Sequence, residues 1–343
     1  MTVRRSLRLL LVIGAGALLL AACSHGPGPG SGQGAGAGTG TTTTGHTTTP
    51  PGPGGWSAFT LAPGADLSVV SCPSVASCLA GSTSGQSYEL TIAGPHAIGP
   101  VGSAPSPQGA VYLACTSLSF CAAVPGVNQA LTFNGSAWSA PTTIPSAQGF
   151  TAIACAAPTF CVTIDGEGNS FIYNGAQWSG NVGAWGAAND ISCASPTFCV
   201  AAEGGPSVWN GRAWTQPNNV DPQGQLNAVS CASPTFCVAV DSAGATLTWS
   251  GAAFSAPASI ATEPPLSGTN ASGLTGVSCP TATFCRAVDS IGRVFSYDGA
   301  KWSAGTLIDH GGALTSVSCP TITFCAAVDR HGHAYVWHSP SNS

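Results

Sequence analysis

Seven times along this chain a cysteine is followed six positions later by a second one: Cys72 and Cys78, Cys115 and Cys121, Cys155 and Cys161, Cys193 and Cys199, Cys231 and Cys237, Cys279 and Cys285, Cys319 and Cys325. Successive first cysteines lie 43, 40, 38, 38, 48 and 40 residues apart. A period near forty with strand-like patterning inside it is the signature of a propeller blade, a unit that buries its faces only by stacking on its neighbours. The repeat therefore predicts an all-β chain, a seven-bladed β-propeller over residues 56–343.

The unit from Leu226 shows the internal plan. Leu226–Cys231 and Phe236–Asp241 read as short strands around the turn Ala232–Thr235, and Ala245–Trp249 and Ala253–Ser255 read as a third and a fourth. The turn Asp241–Gly244 places glycine where positive φ is needed, and sister units carry Asn134-Gly135, Asn174-Gly175, Asn210-Gly211 and Asp298-Gly299 before their last strand, dipeptides suited to a two-residue hairpin of the primed type. Four antiparallel strands per blade follow.

The two ends of the repeat complement each other. The last unit stops after Ala334–His338 without its closing strand, whereas Trp56-Ser57 precedes the first cysteine pair and matches Trp138-Ser139, Trp178-Ser179 and Trp302-Ser303. An N-terminal strand from Trp56 to Leu61 is expected to complete the last blade and close the ring. The first unit has Pro95-His96 in place of Trp-Ser, so its outer strand is the least defined.

Cysteines six apart on strands joined by a tight turn face each other at separations that a disulfide spans, so seven disulfides are expected, one inside each blade. Zinc is the alternative for paired thiols, but two ligands per blade, a blade's width from the next pair, make no tetrahedral site. Seven pairs leave one of the fifteen cysteines over, and it is Cys23.

Residues 1–22 carry Arg4, Arg5 and Arg8 before the apolar run Leu9–Ala22, the pattern of a signal peptide. Leu20-Ala21-Ala22-Cys23 resembles the lipobox of bacterial lipoproteins, which implies a lipidated Cys23 as the mature N-terminus. Residues 23–55 are almost wholly Gly, Pro, Thr and Ser, a disordered tether of roughly 30 Å mean span. Beyond residue 22, five basic side chains stand against thirteen acids, a formal balance of −8 that argues against a nucleic-acid partner.

Over about residues 55–343 the chain resembles the secreted seven-bladed propellers of bacterial surface lipoproteins. It is partly similar to the Asp-box repeat of sialidase-type propellers, although Asp241/Gly244, Asp289/Gly292 and Asp329/Gly332 are spaced Asp-x-x-Gly rather than Asp-x-Gly. The resemblance implies an extracytoplasmic protein held to the bacterial membrane through its N-terminal lipid only.

Any binding site is expected on the face that carries the irregular connections between blades, or at the mouth of the axial channel. Asp165, Asp241, Asp289 and Asp329 are ligand-binding candidates on that face, with capping of their own tight turns as the competing role. Asp165–Asn169 opens like a calcium loop, but its twelfth position is Ala176. His310, His331 and His333 fall in neighbouring turns of the last blade and read as exposed hairpin histidines, so no metal and no cofactor is assigned. Trp185, in a Gly- and Ala-rich connection, is the best single aromatic platform for a ligand, while Trp138, Trp178, Trp214 and Trp302 recur at one position and are assigned to packing. Arg286 replaces an apolar residue and is expected to pair with an acid, with facing a ligand as the alternative.

Motifs for nucleophilic, phosphate-binding or zinc chemistry are absent from the sequence, and no catalytic residue is assigned. The reading is a monomeric, surface-anchored, non-enzymatic binding scaffold whose partner is a protein or a cell-envelope glycan. The alternative is an extracytoplasmic carbohydrate-active hydrolase, which needs two carboxylates about 5–10 Å apart in a pocket.

Overall fold

The computed structural model describes residues 55–91, 94–100, 111–126, 128–145, 147–183, 186–216, 225–261 and 273–339. The signal peptide, Cys23, nearly all of the tether, and Trp185 lie outside the described residues. Seven antiparallel sheets follow one another along the chain, as the repeat requires.

Blade five has an inner strand Leu226–Ser233, a second strand Phe236–Asp241, a third Ala245–Trp249 and an outer strand Ala258–Ser259. Six of the sheets have four strands, including blade one, whose outer strand Gly94–Pro100 forms despite its divergent sequence. In blade three the ladder itself has three strands, and the outer position is held by a Tyr173–Trp178 bridge and by the Val182 N–H donating to the Ser170 carbonyl at 2.9 Å.

The Trp-Ser pairs explain why the outer strands are interrupted. Trp138, Trp178, Phe254 and Trp302 each form a single bridge to the third strand. The serine that follows donates its N–H to a third-strand carbonyl and accepts that residue's N–H on its own Oγ, as Ser179 does with Ile172 at 2.8 and 2.9 Å. A side chain thus stands in for the ladder carbonyl, and the chain is free to turn away. The preceding loops are four residues long rather than the expected two-residue primed turns: Phe133 bridges Trp138, positive φ falls at glycine (Gly135 at 96°), and the side chain of Asn134 holds the bend, its Oδ1 accepting the Ser136 and Ala137 amides.

The N-terminal strand closes the ring. Trp56–Thr60 pairs antiparallel with His333–His338, from Trp56 opposite Trp337 to Thr60 opposite His333, and occupies the outer place in the last sheet. All seven expected disulfides are present, with Cα separations of 4.0–4.1 Å. They suit an oxidising, extracytoplasmic environment.

The apolar core is divided among the seams between blades. Each of the seven buried clusters joins residues of two neighbouring blades, for example Val200, Ala202 and Val208 of blade four with Leu226, Val229 and Leu247 of blade five. The seams are also stitched by a polar ring near the axis. Cys72, Cys115, Cys231, Cys279 and Cys319 each donate their N–H to a serine Oγ of the preceding blade (Ser318, Ser71, Ser192, Ser230 and Ser278) at 2.9–3.0 Å. The two remaining seams have Ala114 and Ala154 at the serine position, and there the bond is missing.

Candidate binding face

The turns after the second strands lie on the same face as the connections between blades. Amides in the turns after the second strands donate to residues just before inner strands: Thr83 to Asp66, Gly166 to Gly149, Ser242 to Gln225, Ser290 to Gly273 and Arg330 to Ala313, at 2.7–3.2 Å. These bonds fasten the inter-blade connections to the rigid blades, so loop positions are set by strand register.

The four aspartates on this face are buried, at 0–1% exposure, and cap their own turns. In each, Oδ1 accepts the amides two and four residues on: Glu167 and Asn169 for Asp165, Ala243 and Ala245 for Asp241, Ile291 and Arg293 for Asp289, His331 and His333 for Asp329. The residue four positions on decides what meets Oδ2. Asn169 Nδ2 reaches Asp165 Oδ2 at 3.0 Å, Arg293 Nε reaches Asp289 Oδ2 at 2.6 Å, and His333 Nδ1 lies 2.8 Å from Asp329 Oδ2. The calcium-like Asp165 carboxylate is thus satisfied by its own turn, by Asn169 and by the Gln148 N–H, which donates to Oδ2 at 3.0 Å.

Blade four puts Glu203 at the capping position, and its longer chain does not reproduce the pattern. Burial pushes the Glu203 carboxyl up to about 7, against the opposing effect of Ser207 and Gln216, and Oε1 has no hydrogen-bond partner. Arg286 finds no acid. Its guanidinium lies 4.8 Å from the Phe284 ring centroid and 4.4 Å from that of Trp337, and burial lowers it to about 10. The sequence expectation of an ion pair is corrected: the seam between blades six and seven offers two aromatic faces and no described carboxylate partner. The repeated tryptophans pack as assigned, with Trp138, Trp178, Trp214 and Trp302 against third-strand aromatics at centroid distances of 5.3–5.8 Å.

The inner strands enclose an axial cavity of about 300 Å³ whose wall includes residues from every blade, among them Ser71, Ala114, Ala154, Ser192, Val229, Val277 and Ser318. A second concavity of about 430 Å³ adjoins it at the loop face, sharing Ser68, Tyr112, Asn227, Thr275 and Thr315 and bounded further by Asp66, Thr83 and Arg330. Asn189, Asn227, Thr275 and Thr315 donate side-chain bonds of 2.7–2.8 Å to the Leu226, Leu274, Leu314 and Leu67 carbonyls of the next blade, which fixes Asn227, Thr275 and Thr315 of this polar rim.

Asp190 is the acid of the channel wall. Its carboxylate accepts the Val229 N–H at 2.9 Å and its neighbour Ile191's at 2.8 Å, and burial, outweighing both bonds, pushes it up to about 7. Of the five basic side chains beyond residue 22, Arg286 and Arg293 are buried in blade six, Arg212 and Lys301 sit on outer hairpins, and Arg330 alone lines the channel mouth.

Beside the mouth, the three histidines of the last blade separate into roles. His331 and His333 flank Asp329, with Nδ1 atoms 4.0 and 2.8 Å from its Oδ2, while His310 is exposed on the adjoining connection. Asp309, which sequence reasoning passed over, completes the group. It is buried at 5% exposure, raised by burial and by the nearby Asp329 charge against the opposing Gly311 amide bond. Its only signal in the sequence was a polar residue in a short connection.

No protein-family model and no curated protein matches the chain. Solved structures do. The chain is similar to YCF48 bound to D1 peptide (13% identity, 83% of this chain and 97% of that one, TM-score 0.63) and to the RRP9 WD40 repeats (11%, 85% and 99%, 0.70). It is also similar to the Neurospora crassa Pan2 WD40 domain (11%, 81% and 90%, 0.64). At such identities the likeness concerns the fold. Fold and face together define the class, a seven-bladed β-propeller with its varied connections gathered around one mouth of a central channel.

Proposed function

We propose that this protein is a non-enzymatic scaffold, lipid-anchored outside the cytoplasm, that holds a segment of a partner protein on its loop face at the channel mouth. The observation that carries the reading is the mouth itself: among the described residues, a 430 Å³ concavity with one aromatic ring, Tyr112, one cation, Arg330, one carboxylate, Asp66, and a rim of hydroxyl and amide groups on strand ends. Such a surface supplies hydrogen bonds to backbone and one charged contact of each sign, from Arg330 and Asp66, which suits a peptide segment. The fold neighbour YCF48, bound to D1 peptide, supports the same direction.

The hydrolase reading gains no comparable support. Asp190 gives both oxygens to backbone amides, and the four loop-face aspartates are buried caps. The signal peptide, the lipidated Cys23 and the tether supply the address in this proposal, and the seven disulfides agree with it.

Crosslinking mass spectrometry on intact cells tests the function. Wild-type protein is expected to capture one protein repeatedly through loop-face residues, with capture falling in a Tyr112→Ala, Arg330→Ala double variant. Glycan adducts without a protein partner, or undiminished capture by the double variant, would contradict it.

A further inference from the structure

Blade seven differs from its sisters in what surrounds the capping aspartate. In blade six the equivalent Asp289 is neutralised by Arg293. In blade seven Asp329 faces a second carboxylate, Asp309, contributed by the connection from blade six. Among the described residues no lysine or arginine pairs with either. A carboxylate oxygen from each aspartate and a ring nitrogen of His331 lie within 4.8 Å of one another.

Two features show that this group is aimed at something. Asp309 is 5% exposed, its Oδ1 is held by the Gly311 N–H at 2.8 Å, and its buried Oδ2 has no hydrogen bond of good geometry, since the nearby Tyr335 hydroxyl is given to Asp329 Oδ2 at 3.1 Å. Leaving such an atom unsatisfied is costly. Asp329 is held just as firmly: two backbone amides fix Oδ1, while the Tyr335 hydroxyl (3.1 Å) and His333 Nδ1 (2.8 Å) fix Oδ2. Carboxylates braced from behind by amides, a phenol and an imidazole are arranged as metal-ligating carboxylates are. The His331 side chain, 54% exposed, opens the group to solvent.

We propose that Asp309, Asp329 and His331 form a binding site for a divalent transition-metal ion of the Zn2+ class. Two carboxylates and a neutral imidazole balance the charge of such an ion and leave a coordination position for water. The nitrogen donor separates this set from a calcium site, which requires six to eight oxygens. The bound ion would tie the blade six connection to the turn of blade seven, next to Arg330 and the channel mouth, and beside the blade that closes the ring.

The test is calorimetric titration of the full-length, metal-stripped protein with ZnCl2, with metal content measured after dialysis. Wild type is expected to take up one Zn2+ per chain, with affinity reduced about tenfold or more in Asp309→Asn and His331→Ala and unchanged in His310→Ala. His331→Ala alters only an exposed ring and decides the matter alone if Asp309→Asn fails to fold. No saturable uptake, or wild-type affinity in either folded ligand variant, would overturn the proposal. Loss of binding in His310→Ala, or Ca2+ binding as tightly as Zn2+, would overturn it too.

Discussion

The serine ring around the axis predicts a stability change of either sign. Five seams carry a bond from a cysteine N–H to a serine Oγ, and two carry alanine in its place. Each such bond contributes about 1 kcal/mol net, more if the stranded amide stays dry. Unfolding entropy of ~2.1 cal/mol/K per residue over a domain of this size gives about 0.6 kcal/mol/K, so one bond moves Tm by about 2 °C. Replacing Ser71, Ser192, Ser230, Ser278 and Ser318 together by alanine should therefore lower Tm by about 8 °C under non-reducing conditions. Conversely, Ala114→Ser and Ala154→Ser should each raise it by about 2 °C, since each hydroxyl would find the waiting amide of Cys155 or Cys193. Calorimetry on the fivefold and the twofold variants measures both signs. A fivefold variant melting with wild type, together with no gain from added serines, would show that the seams are held by their apolar clusters alone.

Three further outcomes follow from the same structure. Trp56→Ala removes a 4%-exposed ring from the closing strand and should cost about 3–5 kcal/mol in denaturant titration; a loss below about 1 kcal/mol would refute closure by this strand. Replacing Cys231 and Cys237 by alanine should cost about 2 kcal/mol by chain entropy, with the other six disulfides intact in a non-reduced peptide map. Asp190 and Glu203 are both raised to about 7, so the folded state binds more protons than the unfolded one between about pH 4 and 7, and stability should fall as pH rises through that window. The Asp190 share is at most about 4 kcal/mol, and Asp190→Asn should flatten the slope; an unchanged slope would show that the carboxylate is solvated in the native state.

The architecture was legible because it is written locally. Cysteine pairs, turn glycines and Trp-Ser dipeptides all act within one unit, so repetition multiplied a weak signal, and the surplus Trp56-Ser57 at one end with the deficit after His338 at the other exposed the closure. What stayed hidden acts between units. The Ser192-to-Cys231 bond joins residues 39 apart, and only the contrast of Ser-Cys with Ala-Cys hints at it. Arg286 read as a charge seeking an acid because no sequence pattern shows that Phe284 and Trp337 flank it. The loop-face aspartates read as candidates because a cap and a ligand share one composition; all four prove to be buried caps, and Asp329 alone among them also faces a second carboxylate. Asp309 gained its meaning only when the blade six connection brought it against Asp329.

The most direct measurement places a photo-reactive amino acid at one position on each face of the propeller in living cells, at Arg330 beside the channel mouth and at Thr235 in a turn joining an inner to a second strand. Adducts to a single protein from position 330, and none from position 235, are the predicted result. Equal capture from both faces, or capture from position 235 alone, would contradict recognition through the loop face.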